Sequence, residues 1–125
     1  MHLPTGREPR YVDHAFVHSG NSNTGLPTIK FAQLMQDHGA GEILLTSVDK
    51  DGTRAGYDLH LLSAVAKAVS VPVVANGGCQ GFLDMSRAFA AGADAVAASS
   101  MFLFTPITPH NCSLYLNEHG IPARV

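Results

Sequence analysis

A parallel α/β fold is the architecture this sequence predicts, and three observations predict it. Short apolar runs alternate along the chain with segments of helical periodicity. The connections between them are short, as crossover helices between parallel strands require. Two stretches, GAGEILLTS from Gly39 and GADAVAASS from Gly92, also follow one plan: a helix-ending Gly-Ala, an acidic residue, an apolar strand and a closing serine.

Each element has its own grounds. Residues 1–10 hold two prolines and a glycine and read as a loop. Tyr11 to Val17 alternates enough for a short leading strand, while Ser19 to Pro27 (SGNSNTGLP) reads as a polar loop. Thr28 to His38 sets Ile29, Phe31, Ala32, Leu34 and Met35 at near-helical spacing, with Gly39 placed to end the helix. Glu42 to Ser47 (EILLTS) is a short apolar strand. Tyr57 to Val69 reads as a helix with Asp58 as its N-cap and Leu61, Leu62, Val65 and Ala68 on one face. Val71 to Asn76 is a strand whose proline stands near the start, where a missing N–H matters least. Gly81 to Ala91 predicts a helix and Asp94 to Ser99 a strand of small residues. Pro109 to His119 predicts the last helix, with proline in its first turn and Gly120 after it.

Composition bounds the function. A chain of 125 residues is at most one ordinary domain, and 46% hydrophobic with 14% charged residues is a globular balance rather than a disordered one. The net charge of −2 supplies no field for nucleic acid or an anionic membrane, so neither partner is expected. Any phosphate must therefore be bound locally, by backbone N–H groups. No apolar run approaches the ~20 residues of a membrane span, and MHLPTGREPRY lacks a signal-peptide core, so a cytoplasmic location is expected. Cys79 and Cys112 are too far apart in sequence for a C-x-x-C site. His14 and His18 share a strand face without further ligands, and no metal is expected. Cys79 has no adjacent histidine to complete a nucleophile pair. No cofactor is called for.

The polar residues are informative because they collect at strand ends. Thr46 and Ser47 close one strand, Asn76, Gly77 and Gly78 the next, and Ser99 and Ser100 a third. In α/β folds ligands sit at the C-terminal ends of the strands. A Gly-Gly pair lets the backbone approach a ligand, with its N–H groups free to cradle phosphate. Each tip has a plainer reading, a tight turn for Gly-Gly and a helix cap for Ser-Ser. Three such tips on one edge favour a site for a phosphorylated small molecule. Asp49-Lys50-Asp51-Gly52 superficially resembles a calcium loop, but positions six and twelve hold Arg54 and His60 where glycine and glutamate are required. Asp-Gly serves as a turn. The N–H groups of Gly52 and Thr53 are also placed to hold an anion, with Asp51 on sugar hydroxyls or a transferring proton.

GAGEILLTSVDKDGTRAGYDLHLL, VPVVANGG, and GADAVAASSMF followed by GIPARV closely resemble the cyclase subunit of imidazole glycerol phosphate synthase, the HisF family, from about Asn23 to Arg124. The resemblance implies an α/β fold, the C-terminal half of a (β/α)8 TIM barrel. Residues 1–125 would form one partial domain, a leading strand plus the last three strand–helix units. It implies a lyase of histidine biosynthesis that joins ammonia from a glutaminase subunit to a phosphorylated ribonucleotide. The products would be imidazole glycerol phosphate and an aminoimidazole carboxamide ribonucleotide. By resemblance Asp51, Gly52, Gly78, Ser99 and Ser100 bind a substrate phosphate region, Thr46 and Asn76 line the pocket, and Glu42 is the ammonia gate at the opposite strand ends. The family's two catalytic aspartates fall at the ends of the first and fifth strands, upstream of the matched region. This chain is therefore expected to carry binding residues without the acid–base pair.

The family usually has serine at the Asn76 position and alanine at that of Ser99, and SNTGLPTIKFAQLMQ departs from its commoner acidic-tryptophan pattern. Related barrels that amidate surface-polysaccharide sugars share the DGT and GG motifs in looser surroundings. They are the alternative, and a non-catalytic phosphate-binding half barrel is the third reading. A half barrel leaves unpaired strand edges and an apolar inner face, so it is expected to be unstable alone, or to pair with the missing half or a second copy.

Overall fold

The computed structural model describes residues 14–17, 22–47 and 56–124. Two strands, β1 (His14–Val17) and β2 (Ser22–Pro27), pair antiparallel, with an irregular register between His14 and Phe16. They lead into α1 (Thr28–Asp37). The order then runs β3 (Ile43–Thr46), α2 (Leu59–Ala68), β4 (Val73–Asn76), α3 (Phe82–Ala90) and β5 (Ala95–Val96), and ends with α4 (Ser100–Phe104) and α5 (Pro109–Glu118). Strands β3, β4 and β5 form a parallel sheet in that spatial order. The parallel α/β fold expected from the sequence is present.

The helices begin and end where the local chemistry says they should. Asp58 accepts a hydrogen bond from Leu61 N at 3.1 Å and caps α2, an arrangement worth about 1 kcal/mol. Thr108 and Asn111 form a reciprocal capping box at α5 beside Pro109. Helix α1 is joined to the turn after α2 by Gln36, whose Oε1 accepts from Ser70 N at 2.6 Å and from Val71 N at 3.2 Å. The C-terminal tail is pinned by Asn117, which donates to Ala123 O at 2.9 Å and accepts from Ala123 N at 2.8 Å.

Two expectations are corrected. Residues 22–27 do not form a loop: SNTGLP has poor strand propensity, but pairing with β1 satisfies its backbone all the same. That pair is antiparallel and stands apart from the parallel sheet, so the strand–helix repeat begins only at β3. The sheet is covered on one face only. Ile43, Leu45, Val73, Ala75 and Val96 face the helices and pack with Leu61, Leu62 and Val65 of α2 and Met85 and Ala88 of α3. On the other face Leu44 is 61% exposed, with Thr46 exposed beside it. The reason is the winding. Consecutive strands in spatial order, joined by crossovers of one hand, place both helices on the same side.

Two boundaries also differ. Strand β5 has two residues against the six of Asp94 to Ser99, because its side chains are too small for burial to reinforce a longer ladder. The short helix α4 follows at once, starting at Ser100. Among the described residues no helix is long and apolar enough to cross a membrane.

Candidate phosphate-binding rim

The parallel register makes the three strand tips neighbours. Thr46 and Asn76 are register partners, and Asn76 Nδ2 donates to Thr46 Oγ1 at 3.1 Å. Having accepted that bond, the threonine hydroxyl still has its own proton to donate. Ser47 N donates to Asn76 O at 3.2 Å and extends the ladder one residue, while the Ser47 side chain is buried on the helix side.

Beyond Asn76 the chain turns through Gly77 (φ 99°) and Gly78 (φ 94°), both in the left-handed region that only glycine adopts without strain. No partner for either N–H lies among the described residues. Gly78 O accepts from Gly56 N at 2.6 Å, so the segment returning from β3 is tied to the glycine turn. On the far side Ala97 N donates to Ala75 O at 2.8 Å and carries β5 to the rim. Ser99 is exposed at the N-cap of α4, makes no side-chain capping bond, and accepts from Phe102 N at 3.0 Å through its carbonyl.

The loops touch beneath the rim as well. Tyr57 Oη donates to Ala97 O at 2.7 Å, and Cys79 Sγ lies 3.9 Å from Met101 Sδ. Burial pushes the Tyr57 hydroxyl far above the usual phenol range, with the Cys79 thiol beside it adding to the rise. Burial also pushes the Cys79 thiol up, partly offset by its contact with Tyr57. A raised thiol remains protonated and is a poor nucleophile, so Cys79 is a packing residue here. Two carboxylates begin the helices that leave the rim, and both are committed. Asp58 caps α2, and Asp84 Oδ2 accepts from Gln80 N at 2.8 Å.

Thr46, Asn76, Gly77, Gly78, Ser99 and Ser100 therefore follow the same ends of three adjacent strands. Asp51 and Gly52 lie outside the described residues. Glu42 is exposed immediately before β3, at the opposite end of the sheet. The cavity directly under the rim, lined by Ser47, Tyr57, Leu62 and Asn76 among others, measures about 10 Å³. That is at the lower limit for one water, so a ligand would lie across the rim rather than beneath it. The hollows of about 420 and 410 Å³ lie between α3 and α5 and are lined by none of the predicted site residues. Sequence reasoning passed over Gly56, Tyr57 and Met101. The Gly-Tyr-Asp string was visible, but Tyr57 was read only as the start of a helix.

A sequence profile described as "Histidine biosynthesis protein" matches residues 7–108. The chain belongs to this family. Histidine biosynthesis proteins are (β/α)8-barrel enzymes, and the parallel β3–β4–β5 sheet with its crossover helices is of the same α/β kind. Among solved structures the chain is similar to FabK from Thermotoga maritima, at 27% identity and a TM-score of 0.50 over 60% of this chain and 24% of that one. A point mutant of the same FabK matches at 27% identity and a TM-score of 0.50, over 61% of this chain and 26% of the other. The chain thus spans about a quarter of the length of the solved structures it matches.

Proposed function

We propose that this member of the histidine biosynthesis family binds a phosphorylated small molecule across the rim of β3, β4 and β5, as the C-terminal part of a cyclase-type barrel. The convergence of the three strand tips, tied by the Gly56–Gly78 and Asn76–Thr46 hydrogen bonds, carries this reading. Gly77 and Gly78 carry no Cβ and let the backbone approach an anion closely, and in this reading their N–H groups hold it. Ser99 and Ser100 add hydroxyls from the next loop. Thr46 and Asn76 contribute a hydroxyl proton and a side-chain amide to the body of the substrate. In this reading Asp51 and Gly52 join them from the loop after β3.

The reaction is the ammonia-dependent cyclisation that forms imidazole glycerol phosphate and an aminoimidazole carboxamide ribonucleotide. Ammonia would come from a glutaminase partner and enter past Glu42, at the strand ends remote from the rim. Of the described carboxylates beside the rim, Asp58 caps α2 and Asp84 accepts from Gln80 N. The acid–base pair is therefore supplied from outside the described residues, in keeping with aspartates on the first and fifth strands of a full barrel.

Residues 1–125 make up one partial barrel domain, and the exposed Leu44 face is the side that a complementary half or a second copy covers. Alone, the chain is expected to associate or to bind an apolar dye on size-exclusion analysis. A compact, dye-negative monomer would contradict the half-barrel assignment.

The phosphate site is tested by titrating the chain with inorganic phosphate and following backbone amide resonances. Shifts centred on Gly77, Gly78, Ser99 and Ser100 are expected, and shifts confined to other residues would refute the site. For the reaction, a reconstructed full barrel is supplied with ammonia and the histidine-pathway ribonucleotide. Turnover supports the cyclase. Phosphate binding without turnover would shift the assignment to the surface-glycan amidation enzymes or to a non-catalytic phosphate-binding half barrel.

A further inference from the structure

We infer that Tyr57 is a positioning residue that, with Cys79 and Met101, forms a buried plug locking the three rim loops into one unit. The inference rests on the phosphate reading and adds to it how the site is held in shape. Each of the three residues lies beyond a different strand: Tyr57 follows β3, Cys79 follows β4, and Met101, in the first turn of α4, follows β5. All three are buried, Met101 completely. Tyr57 Oη donates to Ala97 O at 2.7 Å, Cys79 Sγ lies 3.9 Å from Met101 Sδ, and Cys79 sits beside the tyrosine hydroxyl.

The lock matters most at the third tip. Strand β5 is only two residues long, and beyond it Ala97 N to Ala75 O is the bond that continues its ladder toward the rim. So short a ladder does not by itself hold the segment that delivers Ser99 and Ser100. The tyrosine hydroxyl fastens it at the Ala97 carbonyl, two residues before Ser99. Gly56, the neighbour of Tyr57, is bonded to Gly78 O at 2.6 Å. One dipeptide, Gly56–Tyr57, thus fastens both the glycine turn and the serine loop. An anion that contacts either loop meets the other already in place, without the ordering cost that separate loops would incur.

The test uses the 125-residue chain, in the assembly it adopts in solution, with inorganic phosphate. In the wild type, the amides of Gly78 and Ser100 should titrate with one midpoint. Tyr57→Phe keeps the ring and its packing but removes the hydroxyl. Affinity is expected to fall about tenfold, the worth of one well-placed hydrogen bond. In a double-mutant cycle, Tyr57→Phe and Ser100→Ala should be non-additive, since the tyrosine acts through the serine loop. Unchanged affinity, or full additivity, would overturn the positioning role and leave the phosphate site standing. No phosphate-dependent shift at the rim of the wild type would overturn both. Should Tyr57→Phe fail to fold, hydrogen exchange in the wild type decides. Phosphate should then slow the amides of both Gly56 and Phe102, and slowing of one without the other would overturn the lock.

Discussion

Gly92→Ala is expected to destabilise the fold by about 2–4 kcal/mol, read as a lower midpoint in urea with an unchanged slope. Two independent effects add. Gly92 has φ 116°, a conformation L side chains rarely adopt, and a Cβ placed there would stand 2.9 Å from Ala66 Cβ on α2. The obstacle is itself a Cβ fixed to a helix backbone, so no rotamer change relieves it. Either α2 moves off the sheet or the turn between α3 and β5 opens. Ala66→Gly in the same background removes the collision but not the unfavourable φ, and should recover part of the loss. Against the ~5–15 kcal/mol that holds an ordinary domain together, the effect is large. An unchanged midpoint would show that the α3–β5 turn is not as described.

Gly78→Ala is expected to weaken phosphate binding by about a hundredfold, with a smaller loss of stability, about 1–2 kcal/mol. Gly78 has φ 94°, and alanine would relax the turn toward negative φ. The peptide then swings, taking Gly78 O away from Gly56 N and the glycine N–H groups away from the rim. Hydrogen bonds to a charged group are worth about 1.5–3 kcal/mol each, so losing even two exceeds the ~2.8 kcal/mol that a hundredfold requires. The two glycines form a matched pair. Gly92 lies before β5, at the strand ends remote from the rim, so Gly92→Ala should leave phosphate affinity of the folded protein unchanged. Isothermal titration with inorganic phosphate separates them. Affinity retained within about threefold in Gly78→Ala would remove the glycine turn from the binding site.

Much of the architecture is legible in local sequence because local chemistry specifies it. Helix α2 begins at Asp58, whose side chain caps it, and α5 begins behind Pro109 with its capping box. Apolar spacing identified Leu61, Leu62 and Val65, all buried. The rim residues were legible for a similar reason. Polar and glycine residues directly after apolar runs stand out, and parallel pairing makes adjacent tips of such runs neighbours. Residues 22–27 were not legible, since SNTGLP is a strand only by virtue of β1 alongside it. The contact of Tyr57 with Ala97, forty positions away, had no local signature either.

By itself, then, the amino-acid order determined the kind and sequence of most elements, the helix boundaries at Asp58 and Pro109, and which polar residues end the strands. Tertiary structure alone decided that Leu44 is the residue standing open on the sheet, that β1 and β2 pair apart from it, and that Tyr57 joins loops distant in the chain. Capping and periodicity act over three or four residues and are written locally. Winding, edge pairing and loop closure depend on which distant segments meet, and no short window of sequence contains both partners.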